Sequence, residues 1–211
     1  MVTLYYSPGS CSLAPRIILV DAGLAHDLKL VSIARGEHNA PEFLAINPRG
    51  RIPVLVEDGE VLVETLAILM RLAALAPEAR LLPSAPVAQS RCLSVMAWLS
   101  STLQPGFSRV FRPARISTDE AAHPGVKDAG KAFCWQNVRE IDRLLARQEW
   151  LTGDSYGVAD SYALIFYAWG KRIGLPMQEL SHYTEFKDRM LARASVARIL
   201  REESSILVDT A

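Results

Sequence analysis

The residues best suited to chemistry lie in the first third of the chain. Tyr5-Tyr6-Ser7-Pro8-Gly9-Ser10-Cys11-Ser12-Leu13-Ala14-Pro15 sets hydroxyls and a thiol where a turn meets the start of a helix. A helix N-terminus carries unpaired N–H groups and a partial positive charge. It stabilises a thiolate, whether that of Cys11 or that of a bound thiol. Ser10 and Ser12 also suit the plain role of helix cap, which leaves the cysteine between them unexplained. A second group, Arg51-Ile52-Pro53-Val54-Leu55, sets an X-Pro bond just before a strand. Such a bond is a candidate for the cis form, about 0.5–1 kcal/mol above trans, and equally an ordinary strand-initiating proline. With a cis bond, the backbone of Ile52 faces outward and can pair with an extended peptide. The third group is Glu64-Thr65-Leu66-Ala67-Ile68. Glu64 suits an ammonium, and Thr65 with the neighbouring N–H groups suits a carboxylate. Those are the two charges of an amino-acid α-group, although an acid and a hydroxyl also make a routine helix start.

The elements that must carry these groups can be read from patterning. Val2–Tyr6 is rich in β-branched and aromatic residues and reads as a strand. Ser7-Pro8-Gly9-Ser10 is a turn, and a helix follows from Ser12 to Ala22 with Gly23 as its C-cap. Leu28–Ile33 reads as a second strand and Asn47-Pro48-Arg49-Gly50 as a second turn. Pro53–Glu57 and Val61–Val63 read as strands joined by Asp58-Gly59, a hairpin signal. Glu64–Leu75 is helical. The order is β-α-β, an irregular segment, then β-β-α, as in a thioredoxin-like domain, although order alone fits other α/β sandwiches. Pro77, Pro83 and Pro86 mark a change of character. The expected division is a thioredoxin-like domain over 1–76, a linker over 77–86 and an all-helical domain over 87–211. Ala88–Leu103 carries an apolar stripe that Pro105-Gly106 is expected to interrupt or end. Cys134, Val138, Ile141 and Leu145 form another stripe, and Val158, Tyr162, Ile165 and Trp169 a third. Such stripes are bundle core.

Composition narrows the partners. The 211 residues hold 23 Lys+Arg and 23 Asp+Glu, a formal net charge of zero. That excludes the broad basic surface of a nucleic-acid binder but leaves room for a local anion pocket. No apolar run approaches the roughly 20 residues that span a bilayer, and the N-terminus lacks the pattern of a signal peptide. The expectation is a cytoplasmic protein with no membrane partner. Three widely spaced cysteines, Cys11, Cys92 and Cys134, form neither a metal-ligand cluster nor a disulfide framework. Cys92 and Cys134 fall within helical patterns and read as packing.

Taken together and in order, the three groups resemble the cytosolic glutathione transferases, most closely the bacterial beta class. Gly153-Asp154-x-x-Gly157-Val158-Ala159-Asp160 resembles that family's helix-start signature in the second domain. The resemblance implies glutathione as co-substrate, no metal, a homodimer and conjugation of the glutathione thiolate to small hydrophobic electrophiles. By residue, it implies that Ile52 beside Pro53 pairs with the glutathione backbone and that Glu64 and Thr65 hold the γ-glutamyl end. Cys11 or Ser10 would meet the sulfur. His38 or Arg35 would meet the glycine carboxylate, and Phe107 and Phe111 would line the electrophile pocket, with Trp169 either there or in the core. The chain departs from the family where a histidine and a lysine are usual: those positions read Gln104, carried over as glutathione-binding, and Pro105. An asparagine expected after Trp98-Leu99 is Ser100, the alignment there needs a short deletion, and Gly157 stands where Ser or Thr is usual. Two other readings share the fold: a monothiol reductase or peroxidase using Cys11, and a non-catalytic binding protein.

Overall fold

In the computed structural model, which describes residues 1–208, four strands make one mixed sheet. They are β1 (Val2–Tyr6), β2 (His26–Leu30), β3 (Val54–Glu57) and β4 (Glu60–Val63), in the order β2-β1-β3-β4. β1 is parallel to β2 and antiparallel to β3, so Tyr5 lies between Lys29 and Val54. Alternation along β1 serves both faces. Val2 and Leu4 point into the main core, and Tyr5 packs against Phe43, ring centroids 6.0 Å apart, on the other face. α1 (Leu13–Asp21) and α3 (Thr65–Leu75) cover the first face, and the short α2 (Pro41–Leu44) covers the second. The second strand begins two residues earlier than expected and ends at Leu30. Its register on β1 runs out at Tyr6, whose carbonyl accepts the Val31 N–H at 2.8 Å. The Glu37 carboxylate then takes the Ser32 N–H at 2.6 Å and turns the chain away.

The helical part contains α4 (Pro86–Trp98), α5 (Gln104–Phe111), α6 (His123–Leu145), α7 (Val158–Arg172), α8 (Ser181–Leu191) and α9 (Ala194–Glu202). Of the two outcomes expected at Pro105-Gly106, the helix is interrupted and does not end. A π-helical segment, Leu99–Leu103, joins α4 to α5, and the Gln104 N–H reaches back five residues to the Leu99 carbonyl. Pro105 therefore falls in the first turn of α5, where its missing N–H is tolerated. Gly106 is needed there, since a Cβ would lie 2.8 Å from the Phe133 ring.

α7 is the central helix. It is buried along nearly its whole length and packs against α1, so one apolar core runs through both parts of the chain. Asp160, fully buried, accepts the Gly157 N–H at 2.8 Å and the Leu151 N–H at 2.7 Å. The Val158 N–H is taken by the carbonyl of Leu81 at 3.0 Å. A Cβ on residue 157 would sit 2.7 Å from that carbonyl oxygen. Glycine here is thus a steric requirement: a backbone carbonyl from the preceding segment does the work of a capping hydroxyl.

Candidate functional site

Three loops meet beyond the end of β1: the β1–α1 turn, the residues before β3 and the start of α3. The Ile52–Pro53 peptide is cis. Buried Asn47 shapes the preceding turn, donating from Nδ2 to the Arg51 carbonyl at 2.8 Å and accepting the Arg49 N–H at 3.2 Å. The Ile52 N–H and C=O are left without a partner among the described residues, so a short row of backbone groups stands open, as on a sheet edge. Glu64, at the start of α3, has φ 71°, a conformation that side-chain-bearing residues rarely adopt. Its carboxylate is exposed and meets Arg49 at 3.1 Å. Thr65 beside it is buried.

The β1–α1 turn is more occupied than its sequence suggests. Ser12 Oγ donates to the Ser7 carbonyl at 3.0 Å and accepts the Ser7 N–H at 3.0 Å. Its one proton is spent, so in the 2.8 Å contact between Ser10 and Ser12 the proton comes from Ser10. Ser10 Oγ also accepts the Ser12 N–H at 3.2 Å. The Ser10 hydroxyl must leave Ser12 before it can donate to a ligand. Cys11 is 3 % exposed. Burial pushes its thiol up to about 12, against the smaller pull of the Tyr162 hydroxyl. The sequence placed Cys11 where a helix N-terminus favours a thiolate; in the folded chain burial outweighs the helix, and the thiol is protonated at neutral pH. What remains available at the helix start is the Cys11 N–H, which no other backbone group accepts.

Tyr162, on α7, reaches this turn from the helical side. Its hydroxyl donates to Gln104 Oε1 at 2.6 Å and neighbours both the Cys11 thiol and the Thr65 hydroxyl. Gln104, expected to bind glutathione, serves here as the acceptor for Tyr162. Gly9, one residue before Ser10, is held from both sides. Its N–H donates to Glu203 Oε2 at 2.9 Å, and its carbonyl accepts from Trp169 Nε1 at 2.9 Å. Glu203 Oε1 accepts from buried Arg16 at 2.8 Å, and Arg16 also meets Glu202 at 2.6 Å. The end of α9 and the last turns of α7 together clamp the turn that carries Ser10 and Cys11.

Beside the clamp lies a cleft of about 310 Å³ between the β1–α1 turn, α7 and the segment after α9. Trp169 lines it and also joins an aromatic cluster with Phe107, Phe111 and Phe166. Of the two expected pocket aromatics, Phe111 is 37 % exposed, whereas Phe107 is wholly buried beneath it. Phe107 is a support for the cluster and not a lining residue: its side chain is wholly buried, with the Phe111 and Phe166 ring centroids 6.2 and 5.9 Å away.

The positive charge near the Ile52 loop differs from the expectation. Arg35 is spent on Glu37 at 2.8 Å and faces solvent. His38 is buried, with Nδ1 unpartnered. Burial holds its pKa down, and the charges of Arg112, Arg115 and Arg51 add to this, so it is neutral at pH 7. The fixed cations are those three arginines, gathered from the turn before Pro53 and from the end of α5. Tyr162, Glu203, Arg112 and Arg115 were not singled out in the sequence. The one available signal was that a tyrosine on an apolar stripe must find a partner for its hydroxyl.

Residues 1–73 match the family profile described as "Glutathione S-transferase, N-terminal domain". The chain is 30 % identical over 205 residues to glutathione S-transferase GstA of Escherichia coli O157:H7, covering 95 % of this chain and 98 % of that one. It is 30 % identical over 177 residues to maleylacetoacetate isomerase of Pseudomonas aeruginosa, covering 82 % of each. A Sulfitobacter glutathione transferase homologue solved with bound glutathione superposes with a TM-score of 0.92 at 30 % identity, covering 98 % of this chain and 99 % of that one. The beta-class glutathione S-transferase of Sphingomonas chungbukensis gives 0.85 at 32 % identity, covering 98 % and 100 %.

Proposed function

The chain belongs to the glutathione S-transferase family, and on that premise we propose that it holds glutathione across the three loops and adds the glutathione thiolate to small hydrophobic electrophiles. The observation that carries this reading is the open backbone of Ile52 behind a cis-proline, beside the Glu64–Thr65 helix start. In the proposed pose, Ile52 pairs with the tripeptide backbone. Glu64 takes the γ-glutamyl ammonium, and Thr65 with the first N–H groups of α3 takes its carboxylate. The glycine carboxylate faces the Arg51, Arg112 and Arg115 charges, a role first expected of His38 or Arg35. The sulfur lies at the start of α1 near Ser10 and the Cys11 N–H.

The chemistry asked of the site is modest. Glutathione's thiol proton passes to solvent, a carbon–sulfur bond forms, and the electrophile's leaving group departs or its ring opens. An ordinary thiol ionises near pH 8.5, and each unit of depression is about 1.36 kcal/mol. A helix N-terminus and one backbone donor supply on the order of 1 kcal/mol each. Holding the two reactants together supplies the rest. Gln104 contributes by fixing Tyr162 behind the sulfur, in place of the histidine usual in the beta class. We further propose a cytoplasmic homodimer; no helix among the described residues is long and apolar enough to cross a membrane.

The test is turnover by the purified full chain with glutathione and a panel of aryl halides, epoxides and hydroperoxides. Saturable conjugation is expected with the aryl halides and epoxides; with the hydroperoxides, turnover would instead be reduction to the alcohol and water as two glutathiones become the disulfide. No turnover, together with no retention on immobilised glutathione, would remove the reading. A monothiol reductase reading through Cys11 is disfavoured by the buried, protonated thiol, and unchanged disulfide reduction by Cys11→Ser would dispose of it. The Pseudomonas relative's name supports a second reading, glutathione-dependent isomerisation at the same site. Consumption of glutathione separates the two, since an isomerase returns it.

A further inference from the structure

We infer that the second substrate carries an anionic group, such as a carboxylate, which is set against Arg172 while its apolar body lies along Trp169 and Leu13. The inference rests on the transferase reading above and names the substrate class of that same site. The cleft beside the β1–α1 turn has the size of a single substituted aromatic ring with room for its substituents: about 310 Å³, at the small end of ligand pockets. Its walls are mainly apolar, from Pro8, Leu13, Ile165, Ala168, Trp169 and Ile206. Two charged side chains line it, Glu203 and Arg172.

These two charges are in opposite states. Glu203 is spent, with one oxygen on the Gly9 N–H and the other on Arg16. Arg172 meets no carboxylate within ion-pair distance among the described residues, and no hydrogen-bond acceptor is found for it there. Its guanidinium is nevertheless not free to wander. It lies over the Phe111 ring, 5.6 Å from the centroid, and Nη1 comes close to Gly9, within 3.9 Å of where a Cβ would stand. The neighbouring Lys171 donates to the carbonyl of Ile206 at 3.4 Å and is not itself among the lining residues. Among the described residues, the cleft therefore has a mainly apolar wall with one engaged carboxylate, Glu203, and one lining cation without a carboxylate partner, Arg172, held over the Phe111 ring and next to the turn that would present the sulfur. A planar guanidinium fork matches a carboxylate, and its cation–π contact with Phe111 reduces the freedom lost on binding. A neutral electrophile would use the apolar wall and leave the fork unanswered.

The experiment compares a chloronitrobenzoate with the corresponding chloronitrobenzamide as electrophile for the full chain with glutathione. In both, the carbon–sulfur bond forms as carbon–chlorine breaks, chloride leaves, and the thiol proton goes to buffer. Each kcat/KM is divided by its uncatalysed rate constant to remove intrinsic reactivity. The expected result is a normalised preference for the benzoate of about tenfold, the scale of one partly exposed charge-assisted contact. Arg172→Met brings that ratio close to one, chiefly through the KM for the benzoate, and Arg172→Lys leaves an intermediate ratio. No preference in the unaltered chain, or a preference that survives Arg172→Met, overturns the inference. A binding arm uses unreactive nitrobenzoate and nitrobenzamide, followed by tryptophan fluorescence with the glutathione site filled by S-methylglutathione. If neither electrophile is turned over, the transferase reading is decided separately, by the wider electrophile panel and retention on immobilised glutathione. The binding arm still decides the role of Arg172: tighter nitrobenzoate binding that Arg172→Met abolishes upholds it, and equal binding of the two probes overturns it.

Discussion

Replacing Glu203 by glutamine probes whether the end of α9 holds the β1–α1 turn in place. The carboxylate accepts the Gly9 N–H at 2.9 Å and Arg16 at 2.8 Å, with its side chain 2 % exposed. The amide keeps the shape and one acceptor oxygen, but presents an NH2 to whichever donor the oxygen does not face. One charge-assisted contact is lost and one buried donor is left opposed by another. Hydrogen bonds to charged groups contribute about 1.5–3 kcal/mol, and breaking a buried ion pair costs about 3–5 kcal/mol. Arg16 keeps Glu202 at 2.6 Å, and burial already raises the Glu203 pKa by disfavouring its charged form. Both facts pull the figure to the lower end, about 2–3 kcal/mol. Urea unfolding at fixed protein concentration reads this as a midpoint lowered by about 0.7–3 M, for a slope of about 1–3 kcal/mol per molar. Because Gly9 precedes Ser10 and Cys11, glutathione affinity falls as well, measured by fluorescence titration. Glu202→Gln is the control: its carboxylate is 50 % exposed and its loss is expected to stay within about 1 kcal/mol. If the two variants unfold at the same urea concentration and bind glutathione equally, the clamp is not what positions the turn.

Other consequences are more local. With the Cys11 thiol pushed up to about 12 and Cys92 and Cys134 also buried, a disulfide reagent at pH 8 labels the folded chain at least about a thousandfold more slowly than the urea-unfolded chain; comparable rates would refute the burial argument. Gly157→Ala drives a Cβ against the Leu81 carbonyl, 2.7 Å away, and lowers stability by about 1–3 kcal/mol, whereas Gly125→Ala, with nothing within 4 Å, changes it by less than about 1 kcal/mol. Burial pushes Asp160 up to about 7 from 3.8, so the folded chain keeps a proton that the unfolded chain releases. Its contribution is therefore fully present below pH 3.8 and lost as pH rises through about 7. Over that window Asp160→Asn is expected to remove a falling slope of unfolding free energy against pH. His38 contributes the opposite sign: its lowered pKa means stability lost as pH falls below about 6.5, so His38→Gln is expected to flatten the acid side only.

Sequence alone determined the parts whose causes are local. Strand alternation in Val2–Tyr6, the turn at Asn47-Pro48-Arg49-Gly50 and the helix start at Glu64-Thr65 depend on neighbours a few residues away, and each is found close to where its pattern places it. The order of these elements, with the motifs at their ends, was enough to recognise the family. The course of the chain through Pro105 was not legible, because a π-helical segment depends on how α4 and α5 pack on α6. Nor was the identity of the residues that hold the site. Glu203 meets Gly9 across 194 positions of sequence, and Trp169 meets it across 160. No periodicity reports such a meeting. Cys11 shows most directly why tertiary structure decides the chemistry. The local rule, a thiol at a helix N-terminus, favours the thiolate; packing of α7 and Tyr162 over it removes the water that a thiolate needs, and desolvation in the interior is the stronger of the two effects.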